Sequence, residues 1–294
     1  MVRNSLWGLA AAAAVALPVA LALQLVPDGP LRGGRMVTVA SVADAVDLFR
    51  RRGFDPQAVH GAGDIGIPPV FLAALPGDLG AGGDLDRRKA VFVSLVLPHV
   101  LHANDRIRAD RERLEALRKA MQAGSDISRR DGRWLAAMAA RHGTGADDFD
   151  ELLRRVDIVA PKLAVAQAVQ ESGWGTSRFA HQGNALFGQH APVGEDAIVA
   201  AGAPGVALKA FDSLHDSVVG YMHNLNTHRA YRDFRAARER MRAGGALDAF
   251  ALAETLSGYS EEGRLYVQRL RAIMAQPEIS VARSARLVRA AGTE

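Results

Sequence analysis

The sequence predicts a mainly α fold, of the α+β class, with a small β segment late in the chain. Segments with helical spacing of apolar residues recur from Val42 onward, several of them bounded by capping residues. Residues 206–211 (VALKAF) form a short run that is apolar except for Lys209, and we expect a strand there. Among the 294 residues, 49% are hydrophobic and 23% are charged, which is enough apolar content for a buried core. We therefore expect a folded, chiefly helical protein.

The composition excludes several function classes. The chain has no cysteine, which rules out disulfides, cysteine-ligated zinc, iron–sulfur clusters and thiol catalysis. Its 36 basic and 32 acidic residues give a net charge of +4, a small and scattered excess that does not indicate a nucleic-acid-binding protein.

Residues 1–26 read as an export segment. Arg3 precedes an apolar run over residues 6–26, which fits either a secretory signal peptide or an uncleaved membrane anchor. Residues 20–22 fit a small-x-small cleavage site, whereas the length of the run fits a bilayer and favours the anchor. Both interpretations place the rest of the chain in the periplasm or cell envelope, anchored in the inner membrane if the segment is uncleaved. The Pro/Gly-rich residues 27–36 then form a linker.

Residues 37–156 are predicted to form a helical N-terminal region. Its helical segments are residues 42–52, 84–122, 128–143 and 147–155. The second of these is either one long helix or two helices joined at Pro98. Ser128 and Asp131 have the spacing of a capping box, and Gly143 suits a helix end. Residues 53–83 are rich in Gly and Pro without a sustained period, and we expect irregular structure there.

The most informative segment begins at Pro161, which suits a first helical turn. Residues 163–169 are apolar on every face except Gln167, so this helix is predicted to be buried all round. The helix ends near Glu171, before a Gly-Trp-Gly sequence that stops it. Burial and the negative end of the helix dipole both disfavour a charged carboxylate at such a position. Both effects raise the pKa of the glutamate, as a general acid near neutral pH requires.

A family resemblance reinforces this interpretation. The strings 170–175 (QESGWG), 177–179 (SRF) and 183–188 (GNALFG) resemble the signature of the bacterial glucosaminidases of glycoside hydrolase family 73. The strings 224–228 (NLNTH) and 258–260 (GYS) are similar to those of the Bax-type branch of these enzymes. The resemblance is strong over about residues 155–275 and looser over about residues 65–155.

The resemblance implies an architecture and an activity. Residues 157–276 are expected to form a lysozyme-like catalytic domain with a small β lobe, followed by a C-terminal tail over residues 277–294. The N-terminal region is expected to pack against this domain. The implied activity is cleavage of the β-1,4 bond of peptidoglycan on the N-acetylglucosamine side. Glu171 matches the catalytic acid of the family, and the reaction requires no metal or organic cofactor.

A second carboxylate commonly assists such cleavage. The family carries it in the β lobe, which corresponds here to residues 189–210, and that segment offers Glu195 and Asp196. We predict that Glu195 has the catalytic role. Asp196 is the next candidate for it and is predicted to bind substrate. Asp216 is an unsuitable alternative, because Ser213 and Asp216 form a capping box before an apolar helix.

Further residues of the motifs are candidates for the site. Tyr259 matches a tyrosine that faces the cleft in the family, and its hydroxyl either orients substrate or water or merely packs. Trp174 and Phe187 are candidate substrate contacts, although Trp174 fits core packing beside Glu171 better than a sugar platform. Asn184 either binds substrate or, more simply, stabilises a turn.

No metal site emerges from the sequence. His99 and His102 are three residues apart on a helix, but no carboxylate follows at ligand spacing, so they read as ordinary helix residues. Nucleotide-binding and nucleophilic-serine motifs are absent from the sequence as well.

Two other readings remain open at this point. Lytic transglycosylases and muramidases share the fold and also place a glutamate before serine at a helix end. A wall-binding or scaffold protein with weak or lost catalysis is the other alternative, supported by the poor match of the β lobe to the family pattern.

Overall fold

The computed structural model describes residues 36–57, 65–81, 84–190, 197–199 and 207–288. Within these ranges the structure is mainly helical, which confirms the predicted fold class. The α-helices are α1 Val42–Arg51, α2 Leu85–Gln122, α3 Arg129–His142, α4 Phe149–Arg155, α5 Pro161–Ser172, α6 Arg178–Gly183, α7 Leu214–Thr227, α8 Arg232–Ala243, α9 Ala249–Ala253, α10 Arg264–Met274 and α11 Pro277–Ser280. Short 3₁₀ turns lie at Arg229–Tyr231, Glu254–Leu256 and Val281–Arg283.

Six short strands form three two-stranded sheets in the described residues. Strand β1 Met36–Val37 pairs in parallel with β3 Phe71–Leu72, and β2 Ile65–Ile67 pairs in parallel with β6 Ala285–Leu287. Strand β4 Ala197–Val199 pairs antiparallel with β5 Ala207–Lys209, in the register Ala197 to Lys209. The β4–β5 pair lies in the segment predicted as the β lobe, and β5 lies inside the stretch predicted as a strand.

Helix α2 is a single helix of 38 residues, which decides between the two alternatives that the sequence left open. Asp84 caps it by accepting a hydrogen bond from the amide of Asp86. Pro98 lies inside the helix, where both it and its neighbours are buried. Packing on all sides therefore holds the helix together across the proline, which by itself removes one backbone hydrogen bond.

The helix caps predicted from the sequence are present in the structure. Ser128 accepts from the amide of Asp131, and Gly143 ends α3 in the left-handed conformation at φ 64°. Ser213 accepts from the amide of Asp216 at the start of α7, which confirms the capping interpretation of Asp216. Pro161 occupies the first position of α5. These are local interactions, and local sequence was sufficient to predict them.

One large core joins the two halves of the chain. Helix α2 packs against both α5 and α7, and α5 packs against α10. A smaller apolar cluster lies between the second half of α2 and helices α3 and α4, around Leu114, Leu135 and Leu152. The N-terminal region thus packs against the segment predicted to be catalytic, as expected. The boundary at residues 156 and 157 remains a prediction.

One sequence-based expectation needs correction. Residues 53–83 are not uniformly irregular, because β2 and β3 lie there. These strands have only two or three residues and pair with distant segments, so no local periodicity marks them. Residues 277–288 of the predicted C-terminal tail contain α11 and β6, and β6 pairs with β2.

The predicted export segment, residues 1–26, lies outside the described residues, as does most of the linker. Among the helices of the described part of the chain, none combines the length and the hydropathy needed to cross a bilayer.

Candidate active site

Glu171 lies on the last turn of α5, immediately before a tight reversal of the chain. Gly173, Trp174 and Gly175 all adopt positive φ angles, of 59°, 60° and 75°. The Ser172 hydroxyl stabilises this turn, accepting from the amide of Gly175 and donating to the carbonyl of Ala168. A side chain at position 175 is excluded, because its Cβ would lie 2.7 Å from the ring of Phe92. The Gly-Trp-Gly sequence therefore serves the sharp turn that follows Glu171.

The loop after α6 brings a second backbone segment against Glu171. Asn184 ends α6 in the left-handed conformation, and its Nδ2 donates to the carbonyl of Phe211 at 3.0 Å. Gly188, at φ 61°, lies so close that an added Cβ would be 3.1 Å from Oε2 of Glu171. The two sequence motifs, residues 170–175 and 183–188, therefore meet at one carboxyl group.

The environment of Glu171 raises its pKa to about 7. Burial is the largest cause, because a desolvated carboxylate is disfavoured. A hydrogen bond from Tyr266 acts in the opposite direction, and the negative charge of Glu262 raises the pKa further. The sequence predicted the upward direction and named burial as one cause. It did not identify Tyr266 or Glu262 as contributors.

Four tyrosines are electrostatically coupled to Glu171: Tyr221, Tyr231, Tyr259 and Tyr266. Tyr259 stacks on Tyr266 with ring centroids 5.4 Å apart, and Tyr231 lies 5.8 Å from Tyr259. Burial is the main reason that the pKa of each phenol is raised, to about 12 for Tyr231. All four hydroxyls are therefore protonated at neutral pH, and each has one proton to donate.

The three aromatic residues predicted from the motifs pack against different neighbours. Tyr259 is 8% exposed, and its hydroxyl donates to the carbonyl of Phe187 at 3.0 Å. Phe187 is buried and stacks on Tyr221, at a centroid distance of 4.0 Å. Trp174 is partly buried, packs edge-on against Phe92, and has the Lys89 ammonium 5.5 Å from its ring centroid. These contacts give all three rings a packing role beside Glu171, and their contact with substrate remains a prediction.

The remaining predicted site residues are Asn184, Glu195 and Asp196. Asn184 makes the turn contact described above, in line with the simpler of its two interpretations, and substrate binding by it remains a prediction. Glu195 and Asp196 lie outside the described residues, in the segment between His190 and β4. The structure therefore brings together Glu171, Phe187 and Tyr259 from three separate motifs.

Sequence reasoning missed two residues that act on Glu171. Neither is among the candidates from the sequence: Tyr266 follows the 258–260 string, and Glu262 lies outside the β lobe, where the second acid is expected. Glu262 precedes α10 and forms an ion pair with Arg269, with oxygen–nitrogen distances of 2.8 and 2.9 Å. One sequence signal indicated a buried polar partner of this kind: Gln167 is the single polar residue among the apolar residues 163–169, and a buried amide requires partners.

The histidines noted in the sequence lie in the core. His99 and His102 of α2 pack around Phe71 together with His215, with His102 and His215 centroids 5.0 Å apart. Burial, followed by the nearby His215 and His102, lowers the pKa of His99 well below its ordinary value. Across the described residues, no group of three or more His, Asp or Glu side chains has an arrangement suited to holding a metal ion.

Comparisons with known proteins agree with the motif residues. Residues 146–278 match the glucosaminidase family model, described as mannosyl-glycoprotein endo-beta-N-acetylglucosaminidase. Protein bax of Escherichia coli (strain K12) is 34% identical over 195 residues, covering 61% of this chain and 66% of that protein, slightly less than two thirds of it. The catalytic domain of the autolysin Auto from Listeria monocytogenes has 15% identity and a TM-score of 0.33, over 57% of this chain and 96% of that domain. That TM-score is too low to support a structural argument.

Proposed function

We propose that the chain is a glycoside hydrolase of the glucosaminidase family, whose model matches residues 146–278, and that it cleaves peptidoglycan with Glu171 as the general acid. The bond cleaved is the β-1,4 linkage on the N-acetylglucosamine side. The observation that carries the proposal is the state of Glu171, a half-buried carboxyl group whose pKa is raised to about 7. Such a group is protonated in a large fraction of molecules at neutral pH, as a general acid has to be.

The chemistry of the cleavage explains why such a carboxyl group is needed. As the bond between the anomeric carbon and the glycosidic oxygen breaks, its electron pair goes to the oxygen, which is a poor leaving group unless it receives a proton. In the proposed step, the O–H bond of Glu171 breaks while a new O–H bond forms on the departing sugar. A water oxygen then bonds to the anomeric carbon, and that water releases a proton to solvent. The carboxylate that remains accepts the hydrogen bond of Tyr266, which is stronger to an ion than to a neutral acid.

The second carboxylate is proposed to be Glu195, with Asp196 in contact with substrate, on the family resemblance alone. A different role fits Glu262, because its negative charge raises the pKa of Glu171. We therefore assign Glu262 to the tuning of Glu171.

The bond assignment is tested by product analysis. The full-length protein is incubated with purified peptidoglycan, and the products are reduced with borohydride and identified by mass spectrometry. A reduced N-acetylglucosamine end supports the glucosaminidase. A reduced muramic acid end or an anhydro-muramic acid end would instead indicate a muramidase or a lytic transglycosylase. Wall binding without release of any product would indicate a scaffold protein.

The activity is expected to decline on the alkaline side of neutrality. A general acid works only in its protonated form, so the rate follows the protonated fraction of Glu171. Because the pKa is about 7, kcat/KM is expected to fall about tenfold per pH unit well above that value. The measurement is a pH–rate profile on a soluble glycan fragment, with wall binding followed in parallel. A rate that stays flat from pH 6 to pH 9 would contradict the assignment of Glu171.

Replacing Glu262 with Gln is expected to move the alkaline limb of that profile to lower pH. The substitution removes a negative charge that raises the pKa of Glu171, so Glu171 ionises more readily and the limb shifts by up to about one pH unit. Glu261→Gln is the matched control, since it changes the net charge equally at an exposed neighbouring position. Equal shifts in the two variants would mean that general charge, and not the proximity of Glu262, is responsible.

A location in the cell envelope fits a peptidoglycan substrate. We propose that residues 1–26 direct export, as a membrane anchor or as a cleaved signal. Cell fractionation combined with N-terminal sequencing of the mature protein distinguishes the two. Recovery of an intact chain in the cytoplasmic fraction alone would refute export.

A further inference from the structure

Gln167 is the centre of a buried hydrogen-bond chain that ends at Glu171. It lies one helical turn before Glu171 on α5 and is fully buried. Its Nε2 donates to the hydroxyl oxygen of Tyr266 at 2.9 Å, and its Oε1 accepts from the hydroxyl of Tyr221 at 2.6 Å. The amide thus links α5 to both α7 and α10. A buried carboxamide with two short hydrogen bonds is costly to rearrange, because every alternative leaves a polar group unpaired.

The bonds of this chain all point in one direction. A phenol has a single proton to donate. The oxygen of Tyr266 accepts from Gln167, which leaves the single proton of Tyr266 for the carboxyl group of Glu171, whose pKa Tyr266 lowers by hydrogen bonding. Tyr221 donates to the oxygen of the same amide. The order of donation is therefore Tyr221 to Gln167, Gln167 to Tyr266, and Tyr266 to Glu171.

We propose that Gln167 and Tyr221 are positioning residues that act through Tyr266, holding its hydroxyl as a donor to Glu171 and preventing it from turning to another acceptor. If the amide of Gln167 were reversed, its oxygen would face Tyr266 and compete with Glu171 for the one proton. Tyr221 opposes that reversal, because its hydroxyl already donates to the amide oxygen. The meaning of this chain for catalysis rests on the proposed role of Glu171 as general acid.

The chain favours proton release from Glu171. Tyr266 stabilises the carboxylate more than the neutral acid, and bonds that run in one direction polarise one another, so the donor at the end of the chain is strengthened. Burial alone would make Glu171 a weaker acid, and Tyr266 counteracts that effect. Glu171 is thereby protonated near neutral pH and still acidic enough to release its proton to a leaving oxygen.

The test measures the titration of Glu171 directly, so it does not depend on hydrolysis. The side-chain carboxyl resonance of Glu171 is followed by carbon-13 NMR from pH 4 to pH 10, and its assignment comes from its loss in Glu171→Gln. Tyr266→Phe is expected to raise the pKa of Glu171 by about one unit, because it removes the donor. Gln167→Met and Tyr221→Phe are expected to raise it by smaller amounts. Either of these two variants suffices if the other fails to fold.

Two comparisons separate positioning from a general loss of packing. In the double variant Gln167→Met/Tyr266→Phe, the pKa of Glu171 is expected to equal that of Tyr266→Phe alone, because Gln167 acts through Tyr266. Asn104→Leu is the matched control. Asn104 is another fully buried amide, which bonds to Val159 at 2.8 and 3.1 Å. This control is expected to lower the melting temperature without moving the pKa of Glu171.

The other titratable groups that bear on Glu171 are the same in every variant: Tyr231, Tyr259 and Glu262. The inference is overturned if Gln167→Met and Tyr221→Phe leave the pKa unchanged. It is also overturned if Gln167→Met shifts the pKa as much in the Tyr266→Phe background as in the unaltered protein. If the titrations follow the expectation while product analysis finds no hydrolysis, the chain stands and only its role in the proposed catalysis fails.

Discussion

Replacing Glu171 with Gln is expected to lower the rate of peptidoglycan hydrolysis by about two to four orders of magnitude. The substitution keeps the size of the side chain and removes the only proton that the proposed mechanism transfers to the leaving oxygen. The measurement is the initial rate of release of reducing ends from purified peptidoglycan. Sedimentation with the same material measures binding, which is expected to stay within about threefold, since an amide fills the same space and also accepts from Tyr266.

Glu261→Gln is the control for this substitution. It makes the same chemical change at an exposed position shortly before the start of α10. Its rate is expected to match that of the unaltered protein. A Glu171→Gln protein that retains more than about a tenth of the activity would show that another group protonates the leaving oxygen. Loss of both binding and a cooperative unfolding transition would instead trace the effect to a damaged fold.

Replacing Asp157 with Asn is expected to destabilise the fold by about 3 kcal/mol. Asp157 is 2% exposed and lies between α4 and α5. Its carboxylate bonds to Arg242, with Nε at 2.8 Å, and faces Arg111 at 3.8 Å and the fully buried Arg238 at 3.6 Å. The substitution leaves the guanidinium of Arg238 without its neutralising partner in the core. Removing one member of a buried ionic group is costly for this reason.

Denaturant-induced unfolding at pH 7 measures the free energy of unfolding for this variant. Glu254→Gln is the matched control, because it breaks an exposed ion pair with Arg271 and is expected to cost less than about 1 kcal/mol. If the two substitutions cost the same, the buried network around Asp157 contributes no more than a surface pair. The activity per folded molecule is expected to change little in Asp157→Asn, since Asp157 is at the opposite end of α5 from Glu171.

The sequence predicted most of what depends on neighbouring residues. The start of α5 at Pro161, its end at Gly173, and the capping serines of α3 and α7 follow from interactions over one helical turn. The candidate acid was also predictable, because a glutamate at the end of an apolar helix is unfavourable enough to require an explanation. The motif strings around it then indicated the family.

The tertiary structure decided what depends on contacts between distant segments. Strands β2 and β6 are too short to show a period and pair across more than 200 residues, so no local pattern predicts them. The same holds for the surroundings of Glu171. Tyr266 and Glu262 act on it from nearly 100 residues away, and Gly188 approaches it only because α6 and the following loop fold back.

The sequence by itself thus determined the helices, their ends and the identity of the candidate acid, since each depends on interactions within a few residues. Only the tertiary structure decided how acidic that residue is. The pKa of Glu171 is set by burial, by the hydroxyl of Tyr266 and by the negative charge of Glu262. The packing of α5 against α10 fixes the distances of these groups from Glu171. Electrostatic effects depend on separation in space and on exclusion of water, and neither quantity is encoded in the spacing of residues along the chain.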